Sequence, residues 1–210
     1  PFLGRFFTCL NFVNSTWVKV INMSIITFFD THAKQANGKM IGNTLKRIFD
    51  PYLDLQLNVW ENFGKIGQII DLPRNSIIKE SNSIERYFYI IIKGSGGNLI
   101  WSKNNFICID ISFENDFLND YMSFTLQKPS PIEVRLFEDS QLFRISHEKF
   151  KLTFNAENYG EKVTRICAEY SFIYKQQQQI DLLTKSAKER YIELINTKKG
   201  VERIPLKYLA

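Results

Sequence analysis

One stretch, from Asn119-Asp120 to Pro131, gathers Asn119, Asp120, Ser123, Lys128 and Ser130. Asp120 supplies a carboxylate and Ser123 a hydroxyl, at the spacing that caps a short helix over Tyr121–Leu126. Asn119 is a residue type that tolerates a tight backbone. Lys128 adds positive charge, but as a point charge without the planar donor fork of an Arg. Pro129 and Pro131 withdraw two backbone N–H groups that would otherwise be free to cradle an anion. The stretch can hold a hydroxyl group or end a helix, and it is poorly equipped for a phosphate.

Catalytic equipment is scarce elsewhere. There is no Gly-x-Ser-x-Gly, no Gly-x-x-x-x-Gly-Lys and no His-Glu-x-x-His. Gly94-Ser95-Gly96-Gly97 reads as a hairpin turn, since no Lys-Ser/Thr and helix follow it. Cys9, Cys108 and Cys167 are far apart and form no Cys-x-x-Cys, so neither zinc nor an iron–sulfur cluster is suggested. They read as reduced, mostly buried thiols of a cytoplasmic protein. His32 and His147 are the two imidazoles, too few for a multi-histidine metal site. Enzyme is the least favoured class.

The elements that must position these residues follow from pattern. At 210 residues, 44% hydrophobic and 23% charged, with 18 Phe and 9 Tyr, the chain can bury a sizeable core. No apolar run reaches the length of a membrane span, and no signal-peptide order is present at the head. The net charge of +5 mildly favours an anionic partner. The chain opens on Pro1, which leaves room for upstream sequence, and Met23 and Met40 are each compatible with a natural start.

Asn43 is positioned to cap a helix over 44–49 that stops before Pro51, and a second helix from Leu55 to Phe63 puts Leu57, Trp60 and Phe63 near one face. Short β-branched and aromatic runs follow: Lys65–Asp71, Asn75–Lys79, Tyr87–Lys93, Asn98–Ser102, Phe106–Ser112, Ile132–Phe137 and Gln141–Ile145. In the third, Tyr87, Tyr89 and Ile91 face one way and Phe88, Ile90 and Ile92 the other. Both sets are apolar, so the strand is expected to be buried on both sides, as in a roll or barrel. Ser146 can cap a short helix to Phe154. Val163, Ile166, Tyr170, Ile173, Gln177 and Ile180 then alternate three and four apart, a heptad seam on a long helix. That seam can pack on the chain's own roll or on a second copy; the dimer is the favoured reading. Thr184 or Ser186 opens a further helix over Ala187–Ile195, and Gly200 breaks the chain.

This order of elements resembles the effector domain of the Crp/Fnr transcription regulators, in their divergent Bacteroidetes-type form. The residues that carry the resemblance are Tyr89 to Gly94, Trp60 with Phe63, Asn115-Asp116-Phe117, Asp120-Tyr121-Met122-Ser123-Phe124, Gln127-Lys128-Pro129-Ser130 and Ser186-Ala187-Lys188-Glu189-Arg190-Tyr191. The resemblance covers roughly Leu45 to the end.

The resemblance implies an α+β fold: a jelly-roll-like double-stranded β-helix of the cyclic-nucleotide-binding type, a long dimerisation helix, and a partial helix-turn-helix domain. The implied division is an N-terminal extension over 1–40, the roll with its entry helices over 41–154, the dimerisation helix over 155–184, and the start of a winged-helix domain over 185–210, cut before its DNA-reading helix. Asn119 and Asp120 would stand at the Gly-Glu pair that holds a ribose hydroxyl. Ser123, Lys128 and Ser130 would line the same effector site. The Arg that neutralises a phosphate in the nucleotide binders has no counterpart in Lys128 to Pro131, so the effector is expected to be something other than cAMP. No metal is expected. The implied partners are a second copy, DNA in the full-length protein and an unknown small-molecule effector, with no membrane. A stand-alone ligand-binding or protein-interaction module that never touches DNA is the competing function.

Overall fold

The structure is a computed structural model describing residues 37–156 and 160–209. Expectations for residues 1–36, including Cys9 and His32, lie outside the described residues. The first helix, α1, covers 37–49. Asn43 is therefore inside the helix rather than its cap, and the helix takes in 37–40. Ile41, Leu45 and Phe49, at steps of four, form the buried face that continues the helix upstream of the expected start. The second helix, α2 (Leu57–Ile66), runs one turn beyond the expected end at Phe63. It buries Trp60 and Phe63, and Trp60 stacks on Phe49 with ring centroids 5.0 Å apart.

Seven antiparallel strands follow: β1 (Gln68–Leu72), β2 (Ile77–Lys79), β3 (Tyr87–Lys93), β4 (Gly96–Ser102), β5 (Asn105–Ser112), β6 (Ile132–Leu136) and β7 (Ser140–Ser146). They form two sheets, ordered β1-β7-β3 and β2-β6-β4-β5. A short helix α3 (Tyr121–Leu126) interrupts the path from β5 to β6. Helices α4 (His147–Ala156), α5 (Gly160–Thr184) and α6 (Ala187–Thr197) come next. Two 3₁₀ turns, Val201–Arg203 and Leu206–Tyr208, close the described chain.

Strand β3 is buried on both sides because two cores meet across it. Phe88 and Ile90 join Trp60, Phe63, Phe143 and the helices, while Tyr89 and Ile91 join Val134, Leu136 and Leu142 between the sheets. Turn chemistry sets the register. Lys103 and Asn104 both take positive φ, 47° and 63°, between β4 and β5, the geometry of a two-residue hairpin. Gly94 turns at φ 103° directly against Ser140, where a side chain would collide with the Ser140 hydroxyl.

A third core explains the C-terminal segment. Val201, Ile204 and Tyr208 bury themselves against Leu99, Phe113 and Phe137, with Tyr208 stacked on Phe137 at 4.5 Å. Ser186 opens α6 with a full capping box to Glu189. Gly200, at φ 92°, then turns the chain back onto the roll.

Candidate functional site

Two polar regions lie around α3. In the first, Asp120 caps the helix by accepting from the Ser123 backbone N–H at 3.0 Å. Its second oxygen meets the Lys79 ammonium at 2.9 Å, and the Ser130 hydroxyl donates to it as well. Lys79 reaches in from β2 and donates further to Ser130 Oγ at 3.0 Å and to the Ile132 carbonyl at 2.6 Å. The side chains of Lys79 and Asp120 are 1% and 0% exposed, so a complete ion pair is sealed inside the roll. Such a pair survives burial only because its remaining donors and acceptors are also met.

Glu85 extends this cluster. It is 1% exposed. Its carboxylate accepts from the backbone N–H groups of Tyr87 at 3.2 Å and, more weakly, Asp120 at 3.4 Å. Burial pushes its carboxyl up to about 7, against the pull of those N–H groups and of nearby Lys79. The Glu85 backbone N–H donates to Ser123 Oγ at 3.0 Å, and that hydroxyl donates to the Lys128 carbonyl at 2.6 Å. Lys128 takes part through this carbonyl; the residue itself is exposed.

The second region is a cavity of about 670 Å³. Its walls come from α1, β5, the 115–122 segment and α5. Asp110 on β5 spans the wall to α5, accepting from the Tyr174 hydroxyl at 3.2 Å and from Lys175 at 2.7 Å. Burial and the Asp110 carboxylate together hold the Tyr174 phenol well above its usual range. Lys198, just past α6, lies 3.6 Å from Asp116 on the same wall. Asn119 and Asn98 also line the cavity. Asn98 Nδ2 donates to the Asn119 carbonyl at 3.1 Å, yet Asn98 Oδ1 and Asn119 Nδ2 are buried without a hydrogen-bond partner among the described residues.

The five residues expected at the effector site are thus divided. Asp120, Ser123 and Ser130 come together in the buried cluster, Asn119 and Asp120 both line the cavity, and Lys128 is exposed. Lys79, Glu85, Asn98, Asp110 and Tyr174 were not anticipated. Asp110 interrupts the apolar run Phe106 to Ile111, but no local pattern marks Lys79 or Glu85, which lie among polar residues.

The expected seam on α5 also divides. Val163 is buried against the first core, with Ile166 and Cys167 packed beside it, and Tyr170 lines the cavity. Burial pushes the Cys167 thiol up to about 12, and the Cys108 thiol likewise, so both are poor nucleophiles. Ile173 is 67% exposed and Ile180 43%, beside Phe172 and Leu183, which are exposed as well. Gln177 donates along the helix to Asp181. Among the described residues, no helix is long and apolar enough to cross a membrane, and no cluster of His, Cys, Asp or Glu is arranged to hold a metal ion.

The arrangement is similar to solved cyclic-nucleotide-binding domains. One is a cyclic nucleotide-binding domain from Methylobacillus flagellatus, with a TM-score of 0.60 and 12% identity over 71% of this chain and 87% of that one. Another is the sensor domain of the transcriptional regulator DNR from Pseudomonas aeruginosa, at TM-score 0.53 and 15% identity, covering 70% and 96%. A third is the regulatory domain of Toxoplasma gondii PKA with cAMP, at TM-score 0.51 and 14% identity, covering 64% and 51%. The chain spans about half the length of two of the kinase regulatory structures it matches. At these identities the likeness shows the fold: the chain has the α+β roll of cyclic-nucleotide-binding domains. No protein-family model matches the sequence, and no curated protein does.

Proposed function

We propose that this chain is the effector-sensing and dimerising part of a Crp/Fnr-like transcription regulator, without enzymatic activity, working in the cytoplasm on an effector other than cAMP. The observation that carries this reading is the cavity shared by the roll and α5, bridged by Asp110 to Tyr174 and Lys175. A ligand that fills it must touch both the roll and the helix, so its binding energy can bias how α5 lies on the roll. The outer face of α5, with Phe172, Ile173, Ile180 and Leu183 exposed, suits a second copy. In the full-length protein, a shift of paired helices would reposition two DNA-reading domains.

The residues present do not fit a cyclic nucleotide. The one carboxylate expected to meet a ribose hydroxyl, Asp120, already holds Lys79 and Ser130. No Arg stands among the residues lining the cavity, and Pro129 and Pro131 offer no N–H to a phosphate. Calorimetry with cAMP is expected to show no saturable heat. A sub-micromolar dissociation constant would overturn this part of the reading.

The competing function, a stand-alone module, draws support from the C-terminal segment, whose Val201, Ile204 and Tyr208 are built into the roll. A mobility shift with the full-length natural protein separates the two. Sequence-preferring binding to a two-fold-symmetric site supports the regulator. Binding that random competitor DNA abolishes supports the module, because phosphate attraction carries no sequence information.

A further inference from the structure

Lys79, Asp120 and Glu85 put one ammonium and two carboxyl groups into a single buried cluster. Fully ionised, the cluster carries one uncompensated negative charge away from water, and a single bound proton makes it neutral. Asp120 is the poorer host for that proton, because the Lys79 ammonium at 2.9 Å, the Ser130 hydroxyl and the Ser123 N–H all meet its two oxygens. Glu85 has only the backbone N–H groups of Tyr87 and Asp120, at 3.2 and 3.4 Å, and Lys79 acts on it only at longer range. The proton therefore belongs to Glu85, in keeping with a carboxyl pushed up to about 7 by burial. Other ionisable groups stand nearby. Tyr89 on β3 is held well above its usual range, chiefly by burial, with Arg144 on β7 pulling the other way. His147, at the head of α4, packs edge-on against Phe124, and burial holds its imidazole below the usual range. Glu80, Arg86 and Lys128 are exposed.

Glu85 belongs to a segment, 80–86, that straps α3 and the turn into β6. The Asn82 N–H donates to the Ser130 carbonyl at 2.7 Å, the Ser130 N–H returns to the Ser83 carbonyl at 3.4 Å, and the Ser81 hydroxyl donates to the Pro131 carbonyl at 2.9 Å. On α3 itself, Ser123 Oγ accepts from the Glu85 N–H at 3.0 Å, and Gln127 Nε2 donates to the Glu85 carbonyl at 3.1 Å. The backbone of Glu85 thus grips α3 while its side chain lies in the buried cluster. A charge on that side chain is drawn toward water, and it reaches water only if the segment lifts. We infer that 80–86 is a proton-operated clasp on α3, shut while Glu85 is protonated and loosened when Glu85 ionises. Tyr121 and Met122 of α3 line the cavity, so the same proton sets how firmly that wall is held, whatever fills the cavity.

Native-state hydrogen exchange on the whole chain tests the clasp, from about pH 5 to about pH 8, read as protection so that the intrinsic rate cancels. Opening at the Asn82, Glu85 and Ser130 amides should rise roughly tenfold for each pH unit between about 4.5 and 7, then level off. These amides should also exchange at least about tenfold faster than those of the β3–β7 ladder, which open with the whole fold. Glu85→Gln keeps the side chain's shape without its charge, and its clasp should stay shut across the range. Protection that ignores pH overturns the proposal. So does a clasp that opens at one rate with the ladder, since Glu85 then acts on the whole fold. A pH dependence that survives in Glu85→Gln overturns it too and points to His147. If the variant fails to fold, carbon NMR of the Glu85 carboxyl in the unaltered chain decides. A midpoint near 7, shared by the signals of Ser123 and Gln127, supports the clasp; a midpoint below about 5 overturns it. None of these readouts uses a ligand, so their failure leaves the sensing reading standing.

Discussion

Asn119 and Asp120 are neighbours in sequence, both buried and both on the cavity wall, and they differ in whether their polar atoms are met. Asp120 sits in a closed region where Lys79, Ser130 and the Ser123 N–H meet its two oxygens. Asn119 lines the neighbouring cavity, yet its Nδ2 and the Asn98 Oδ1 are buried with no hydrogen-bond partner among the described residues. The contrast separates two roles for buried polarity. Fully met, a polar group fixes the fold; left unmet, it costs stability.

The largest test removes the closed region's cation. Lys79→Met leaves the Asp120 carboxylate sealed in the roll without a partner, which should cost about 3–5 kcal/mol by the usual penalty for a broken buried pair. Urea unfolding at neutral pH gives the measurement. Adding Asp120→Asn to the same chain should restore much of the loss, because no charge is then stranded. A single variant as stable as the parent would show that water or another group reaches Asp120.

Glu85 gives the next effect, and its sign is set by burial. Its carboxyl titrates near 7 in the folded chain against an ordinary 4.5, so the folded state holds the proton more tightly than the unfolded one. The neutral form therefore stabilises the fold below about pH 4.5, and that contribution is lost as pH rises through 7, by on the order of 3 kcal/mol. Glu85→Gln should flatten this part of the pH–stability curve. An equally steep fall in the variant would assign the dependence to another group.

The open region is sharpened by α5, the helix that walls it. Asp at both 172 and 173, replacing Phe172 and Ile173, places charges on the exposed apolar face without touching the roll. Sedimentation should show dimer association weakened roughly tenfold or more, at least 1.4 kcal/mol. Ile166 is a poorer site for this test, since it packs against the chain's own core. A parent chain that sediments as a monomer at micromolar concentration would remove the dimer altogether.

The strands were legible because β-branched and aromatic runs broken by turn residues have few alternatives. Tyr87–Lys93 is β3 to the residue, and both its faces are buried as the alternation requires. The heptad seam was legible as a period but not as a direction. Val163 and Ile180 share a repeat, yet one faces the roll and the other solvent, because a short stretch of roll cannot cover the whole length of α5. The Lys79–Asp120 pair joins residues far apart in sequence, and no local pattern marks Lys79 as buried rather than as an ordinary strand-end lysine. The cavity was equally hidden: its walls meet only when α1, β5 and α5 are assembled. The start of a DNA-binding domain is expected over 185–210; within that span Val201, Ile204 and Tyr208 pack against Leu99, Phe113 and Phe137 of the roll, a contact that no local pattern announces.

That segment supplies the smallest expected effect. Arg203 forks onto Glu114 at 2.8 and 2.7 Å, reaches Glu138 at 3.2 Å, and lies over the Phe113 ring at 5.7 Å. Glu114 in turn accepts from the Gly94 N–H at 2.9 Å, so the fork ties the C-terminal turn to the β3–β4 corner. The Arg203 hydrogen bonds hold the Glu114 carboxyl down to about 2, so this stabilisation is present above about pH 4.5 and lost as pH falls toward 2. About a third of each side chain is exposed, and solvent screening limits the pair to under about 1 kcal/mol. Arg203→Ala should therefore barely move the unfolding midpoint. It should still raise amide hydrogen exchange across 200–209, where local opening takes less energy than global unfolding. Arg203→Lys should restore only part of the protection, because an ammonium cannot make the two parallel bonds. Lys198, which shares a cavity wall with Asp116, lies two residues before Gly200. If exchange across 200–209 is the same in Arg203→Ala as in the parent, the turn is held by Val201, Ile204 and Tyr208 alone, and the charged fork is a passenger on an apolar contact.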